Sequence, residues 1–264
     1  MKGRVFVVAG SDSGGGAGIQ ADIKTITALN GFAMTAITAL TAQNSLGVAG
    51  VLKSPPGFVA DQIRVTLEDL GADAVKTGMM ADAPIIEAAA DALEEHAGGV
   101  PWIVDPVMFS SSRDLLLDED GSQAMKARLI SRAAVVTPNM AEAEALSGRP
   151  VSTVADMEAA GRALLDLGAG AVLVTGGHLG GETITDVLVT ADGAEHFESP
   201  RIDTPHTHGT GCTLASAIAT GLAQGRGLKD SIIRARGYVI EAIRRAPGYG
   251  GGHGPLNHAH TVKE

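Results

Sequence analysis

Short apolar runs rich in Val, Ile and Thr alternate along the chain with longer segments whose apolar residues recur at helical spacing. Val5–Ala9 predicts a buried strand, with Gly18–Asn30 the helix after it. A second strand is expected at Met34–Leu40, a helix at Gly57–Leu70, a strand at Ala74–Thr77 and a helix at Pro84–His96. Trp102–Asp105 predicts a strand ending on Pro106. Ser122–Ser131, Val135–Thr137 and Met140–Ser147 repeat the pattern, followed by the helix Asp156–Leu167 and the strand Ala171–Thr175. Strands that are apolar throughout, separated by helices, imply βαβ units around a mostly parallel sheet.

From Thr183 to Pro200 the signal changes. Ile184–Thr190 and Glu195–Glu198, joined by Asp192-Gly193, predict a hairpin on the sheet edge. Helices Thr210–Gln224 and Leu228–Arg245 follow, then a glycine-rich loop Gly248–Gly254 and last residues expected to be mobile. No linker or repeat interrupts the chain, so residues 1–264 read as one three-layer α/β/α domain with a small edge hairpin.

Composition narrows the function classes. Hydrophobic residues make up 45% of the 264 and aromatics only 3%, which suits close helix-on-sheet packing by small side chains. The net charge of −10 lacks the basic surface that neutralises a nucleic-acid backbone, so no nucleic-acid partner is expected. No apolar run is long enough for a membrane span, and Val5–Ala9 is too short for a signal-peptide core. A single cysteine allows no internal disulfide and fits a reducing cytoplasm.

Open α/β sheets bind ligands at the carboxyl ends of their strands, and the chemically informative residues cluster there. Gly10–Gly18 follow the first predicted strand, Gln43 the second and Gly78 the third; Asp105 ends the fourth, Asn139 follows the next, and Gly176-Gly177 follow Thr175. In the first of these loops Gly16-x-Gly18-x-x-Ala21 matches a dinucleotide fingerprint. The acidic residue that should hold the ribose is missing, since no carboxylate stands between Asp22 and Asp61. No Gly-Lys-Ser/Thr ends the run either, so it is not a Walker loop. The bland alternative is a tight turn; the functional one is a loop pressed against a compact ligand, with Asp22 on the first turn of the next helix.

Thr204-Pro-His-Thr-His-Gly-Thr-Gly-Cys212 runs directly into an amphipathic helix. Gly209 and Gly211 free the backbone to aim N–H groups inward, and the helix N-terminus adds its positive dipole end, an anion hole built without Lys or Arg. That suits phosphoryl transfer. Cys212 near the helix start is expected to have a lowered pKa and could take a proton from a substrate hydroxyl. Its alternative role is a small core residue. His206 and His208 read as loop-shaping residues, because two histidines without acidic or thiolate neighbours make a poor metal site. Asp105 and Glu142 are the candidate carboxylates for Mg2+. Asn139 with Glu142 three residues later also fits a plain capping box.

Several of these motifs together resemble the hydroxymethylpyrimidine/phosphomethylpyrimidine kinases of thiamine biosynthesis, within the ribokinase-like superfamily. The carrying residues are Ala9–Asp22, Thr41-Ala-Gln-Asn44, Lys76-Thr-Gly-Met79, Asp105-Pro-Val-Met108, Thr137-Pro-Asn139 with Glu142-Ala143, Gly176-Gly-His178, His208-Gly-Thr-Gly-Cys212 and Gly252–His258. The resemblance implies a ribokinase-like fold and two ATP-dependent phosphorylations. The first acts on the hydroxyl of 4-amino-5-hydroxymethyl-2-methylpyrimidine, the second on the resulting monophosphate. By position, Gln43 would bond the aminopyrimidine, with Gly10 and the Val107 backbone bordering the ring and Asp22 nearby. Asp105 and Glu142 would serve Mg2+, and Asn139 would face the nucleotide phosphates. Gly209, Thr210 and Gly211 would form the anion hole, with Cys212 as base.

Two departures stand out. Many relatives carry Lys where this chain has Thr175, so another group must meet the nucleotide phosphates. Phe109–Asp114 lacks a glycine often found there and is expected to form a less mobile flap. A pyridoxal kinase of the same fold and a non-catalytic pyrimidine-binding protein are the competing readings. A homodimer is expected from the superfamily and the apolar edge hairpin.

Overall fold

β1 (Arg4–Asp12) is buried on both faces, which is why its sequence is apolar rather than alternating. Phe6 and Val8 point into one core, and Val5, Val7 and Ala9 into the other. Each large aliphatic side chain buried there contributes roughly 1.5–3 kcal/mol. This is a computed structural model; it describes residues 2–109 and 116–262.

The chain continues through α1 (Gly18–Ala28), β2 (Phe32–Asn44), β3 (Gly47–Lys53), α2 (Pro56–Leu70), β4 (Ala74–Thr77), α3 (Ala83–Ala97) and β5 (Trp102–Val104). Beyond the undescribed residues come α4 (Glu119–Ala124), β6 (Val135–Val136), α5 (Met140–Ser147), α6 (Val154–Asp166), β7 (Ala171–Val174), β8 (Thr183–Thr190), β9 (Gly193–Pro200), α7 (Thr210–Ala223) and α8 (Leu228–Arg244). The expected helix 122–131 is instead α4 running on through a π turn, Met125–Leu129, and a 3-10 turn, Ile130–Arg132.

The nine strands among the described residues join one sheet in the order β3-β2-β1-β4-β5-β6-β7-β8-β9. The six from β2 to β7 are parallel; β3 and β8 run against them on the two flanks, and β9 pairs antiparallel with β8 at the edge. One core packs α2 to α6 against the sheet, the other α1, α7 and α8, giving the three-layer ribokinase-like architecture. The hairpin β8–β9 lies at the sheet edge as the turn chemistry implied. β3 was not expected. It extends β2 into a second hairpin at the opposite edge and exposes Val51 and Leu52 beside Leu46.

The glycine-rich tail forms no helix or strand, yet it is tied to the body. His208 N donates to Gly254 O at 3.1 Å, His253 N to Ser45 O at 2.9 Å, and Asn257 N to Ala242 O at 3.0 Å. Thr213 gives its hydroxyl proton to Gly209 O and so accepts from His258 Nε2, 2.9 Å away. Burial holds His258 down at about 4, which keeps that ring neutral near pH 7. Thr261 Oγ1 donates to Ala28 O at 3.2 Å. The expected flap at 109–114 lies outside the described residues beyond Phe109. Among the described residues no helix is long and apolar enough to cross a membrane.

Candidate active site

The site forms where two glycine loops meet over the carboxyl ends of β1, β4 and β5. Between β1 and β2 the register slips from Ala9 to Ser11, turning the end of β1 into the first loop. Asp12 organises that loop: its carboxylate accepts from Gly14 N (2.8 Å), Gly16 N (3.0 Å) and Ala17 N (2.8 Å). His208 Nε2, from the second loop, lies 2.9 Å from the same carboxylate. Burial opposes the charge, but the bonds from His208 and the amides outweigh it and hold Asp12 below its ordinary pKa.

Gly209 makes the second loop's approach possible. Its φ is +85°, and a Cβ there would drive into Gly16 O. It caps α7, with Thr210 Oγ1 and N turned back to Thr207 O and Thr213 N bonded to Gly209 O. Gly211 and Cys212 then carry the first-turn amides available to an anion at this helix N-terminus. Gly18 N–H hydrogen-bonds the Cys212 sulfur, so the starts of α1 and α7 meet at the thiol.

Beneath them lies an ionic cluster that sequence reasoning did not assemble. Lys76 on β4 is fully buried, 2.9 Å from Asp22 Oδ1 and 3.6 Å from Asp105 Oδ2. Ser216 Oγ donates to the same Asp22 oxygen at 2.7 Å. Asp22 sits beyond the first turn of α1 with no exposed surface, so it supports Lys76 instead of lining the open site as expected. Burial works against the Lys76 charge, but Asp22 foremost raises its pKa; burial likewise raises Asp22, against Lys76 and Ser216. With an ammonium and a hydroxyl on one oxygen, we assign the ionised pair. Removing one partner of such a buried pair costs about 3–5 kcal/mol.

Asp105 and Glu142 are both buried beside this cluster. Burial pushes Asp105 up to about 6, with Lys76 opposing and Asp22 adding to the rise. Burial and then the Asp105 charge push Glu142 up to about 8. Glu142 Oε2 accepts from Asn139 N at 2.9 Å and Asn139 Oδ1 from Glu142 N at 3.0 Å, the complete capping box. Glu142 Oε1 also accepts from Met108 N at 3.4 Å. Asp105 Oδ2 makes no hydrogen bond, and the one cation near it, the Lys76 ammonium at 3.6 Å, is bonded to Asp22 instead. A buried carboxylate oxygen without a hydrogen bond, next to a second carboxylate, fits a hard cation that completes its shell with water and phosphate. Among the described residues no cluster of three His, Cys, Asp or Glu exists to hold a metal alone.

The expectation of a lowered Cys212 pKa is overturned. Cys212 keeps some exposed surface, but protein packs around it closely enough that burial pushes the thiol up to about 12, against the pull of Lys76 and Gly18 N–H. The thiol donates to Asp105. Helix dipole and neighbouring cation do not outweigh desolvation here.

The remaining expected residues fall along the same edge. Gln43 Nε2 is 3.3 Å from His208 Nε2. Gly10 is buried under the Met79 sulfur, and Val107 follows Asp105, its N–H donated to Asp105 O at 2.9 Å. Asn139 and Thr175 pair through a short parallel bridge, with Thr175 N bonded to Pro138 O. The next loop is held by cations: Asp186, paired with Arg236, accepts from Gly176 N, and Arg201 donates to Gly177, Leu179 and Gly181 carbonyls.

Helix-terminus amides facing a carboxylate pair at the edge of this sheet define a ribokinase-like phosphotransferase site. Similarity to known proteins is specific. The family model described as phosphomethylpyrimidine kinase matches residues 12–257. The chain is 44% identical to the hydroxymethylpyrimidine/phosphomethylpyrimidine kinase of Streptomyces coelicolor, covering 98% of this chain and 96% of that protein. It is 49% identical to a thiamine biosynthesis bifunctional protein of Geobacter sulfurreducens, covering 97% of this chain but only 52% of that longer protein. Among solved structures, a phosphomethylpyrimidine kinase of Clostridium difficile aligns with TM-score 0.81 at 38% identity, over 92% of this chain and 100% of that one. A Bacillus subtilis pyridoxal kinase in complex with ADP aligns with TM-score 0.91 at 37% identity, over 98% of each. The chain belongs to the phosphomethylpyrimidine kinase family.

The carboxylate pair yields a test. Asp105 and Glu142 are held above their ordinary values of 3.8 and 4.5, to about 6 and about 8. The folded state therefore keeps protons that the unfolded chain releases, and stability falls as pH rises through that window. A cation replacing those protons offsets the loss, so Mg2+ should raise the melting temperature by several degrees near pH 9 and hardly at all near pH 5. An equal shift at both pH values, or none, contradicts the assignment.

Proposed function

We propose that the protein transfers phosphate from ATP to the hydroxyl of 4-amino-5-hydroxymethyl-2-methylpyrimidine, and then to the resulting monophosphate, in a cytoplasmic thiamine pathway. The observation that carries the reading is the approach of the Gly209–Cys212 turn to Asp105: a Cβ on Gly211 would stand 3.8 Å from Asp105 Oδ1. A phosphoryl group on the Gly211 and Cys212 amides would thus lie beside the carboxylates. Fixed donors there meet charge on the equatorial oxygens, the main demand of a loose phosphoryl-transfer transition state.

In this reading Gln43 bonds the pyrimidine, Gly10 and the Val107 backbone border its ring, and Asp22 acts from beneath by holding Lys76. Asn139 and Thr175 line the nucleotide side. Asp105 and Glu142 hold Mg2+, which when bound neutralises phosphate charge. Lys76 supplies the buried positive charge, and Arg201, by clamping the loop after Thr175, holds the nucleotide loop in place without a lysine at that position. Cys212 rests as a thiol. Its ionised form would be a strong acceptor for the hydroxyl proton, and a loose transition state needs that acceptor only late.

A second reading draws support from the pyridoxal kinase alignment. Purified protein with Mg2+ and ATP should produce ADP with hydroxymethylpyrimidine and with its monophosphate, and none with the analogue lacking the hydroxyl. Turnover of pyridoxal alone would transfer the proposal to that substrate. Because burial pushes the thiol up to about 12, turnover should keep rising with pH above neutrality, and Cys212→Ala, which leaves no titrating group there, should flatten the rise while changing KM little. An unchanged slope in that variant removes Cys212 as proton acceptor.

The exposed β3 edge with Leu46, Val51 and Leu52 supports a homodimer joined there, because β9 at the other edge carries Glu195, His196 and Glu198. Light scattering should give twice the chain mass, and Leu52→Lys should halve it. A monomeric wild type contradicts the dimer.

A further inference from the structure

The proton inventory around His208 fixes more than the loop. Asp12 Oδ2 already accepts from two backbone amides, and Asp12 is held ionised, so His208 Nε2 at 2.9 Å must bring a proton to it. A ring nitrogen bearing that proton cannot accept from the Gln43 amide. Yet the carboxamide lies with Nε2 at 3.3 Å from His208 Nε2 and Oε1 at 3.2 Å from Thr41 Oγ1. Thr41 has one hydroxyl proton, and Ser11 O is the nearer acceptor for it, at 3.0 Å. The His208 contact therefore sets donor against donor, and the Thr41 contact leaves one hydroxyl proton between two acceptors, Ser11 O and Gln43 Oε1. A half-turn about the last side-chain bond keeps the shape and mends both. Oε1 then takes the longer branch of the one His208 Nε2–H, shared with the nearer Asp12 Oδ2, and Gln43 Nε2–H donates to Thr41 Oγ1.

We propose that Asp12 and His208 are positioning residues that lock the Gln43 carboxamide in this turned orientation. One oxygen lone pair and one N–H then remain, in a fixed order, for a ring edge that pairs an amino donor with a ring-nitrogen acceptor. This rests on the reading of Gln43 as the pyrimidine-binding residue. The chain of protons runs from Ser11 O through Thr41, Gln43 and His208 to Asp12, residues as far apart in sequence as 196 positions. A mis-set amide would present donor to donor and acceptor to acceptor, so the order acts as a selectivity filter for ring edges.

Two measurements test it. Nitrogen-15 histidine spectra of the whole protein, with the His208 signal assigned by its loss in His208→Asn, should show a proton on Nε2; a bare Nε2 with the proton on Nδ1 overturns the proposal. In ADP-production assays with Mg2+, ATP and hydroxymethylpyrimidine, His208→Asn should raise the pyrimidine KM about tenfold. The KM for ATP should stay unchanged. Repeated in a Gln43→Met background, the same substitution should add no further increase, since no amide is left to orient. An equal increase in both backgrounds shows His208 acting through the anion hole and overturns the proposal. An unchanged pyrimidine KM in Gln43→Met alone removes the underlying binding reading, and the His208 spectrum still tells the two failures apart.

Discussion

The contact on which the site depends is the approach of Gly209 to the Gly16 carbonyl. No side chain fits between the two loops there, and the left-handed backbone at Gly209 is one that residues with a Cβ rarely adopt. Everything chemical is arranged around that closure. It sets the start of α7 over the end of β5, so that helix amides, Cys212 and Asp105 share one small volume. It also carries His208 into reach of Asp12 and Gln43, joining the opening loop to the phosphate turn. A loop pair held this way is preorganised, which is what electrostatic catalysis of phosphoryl transfer requires.

Charge beneath the loops completes the arrangement. Lys76 and Asp22 form an ion pair wholly out of solvent, and the Asp105–Glu142 pair beside it is pushed toward protonation by burial and mutual repulsion. An exposed pair such as Arg4–Asp73 is screened by solvent and specifies little. The buried pair fixes geometry, because neither partner can leave without stranding the other. The same desolvation explains why a thiol at a helix start is not a thiolate.

Much of this was legible in the sequence. The parallel strands, the edge hairpin β8–β9 and the alignment of Asp105, Asn139 and Gly176 along one sheet edge followed from apolar runs and strand ends. β3 was missed because Gly47–Lys53 is short, contains two glycines and keeps most of its surface exposed, leaving no buried alternation to read. Asp22 looked like a ligand-facing carboxylate because its partner Lys76 lies 54 residues away on another strand. The pKa of Cys212 was read from its neighbours in sequence, whereas burial by distant elements decides it. Long-range contacts of this kind leave no local pattern.

The most direct measurement is a crystal structure with a non-hydrolysable ATP analogue, Mg2+ and hydroxymethylpyrimidine. The terminal phosphate should lie on the Gly211 and Cys212 amides, within reach of the substrate hydroxyl, with the pyrimidine against Gln43. A terminal phosphate seated away from the start of α7 would contradict it.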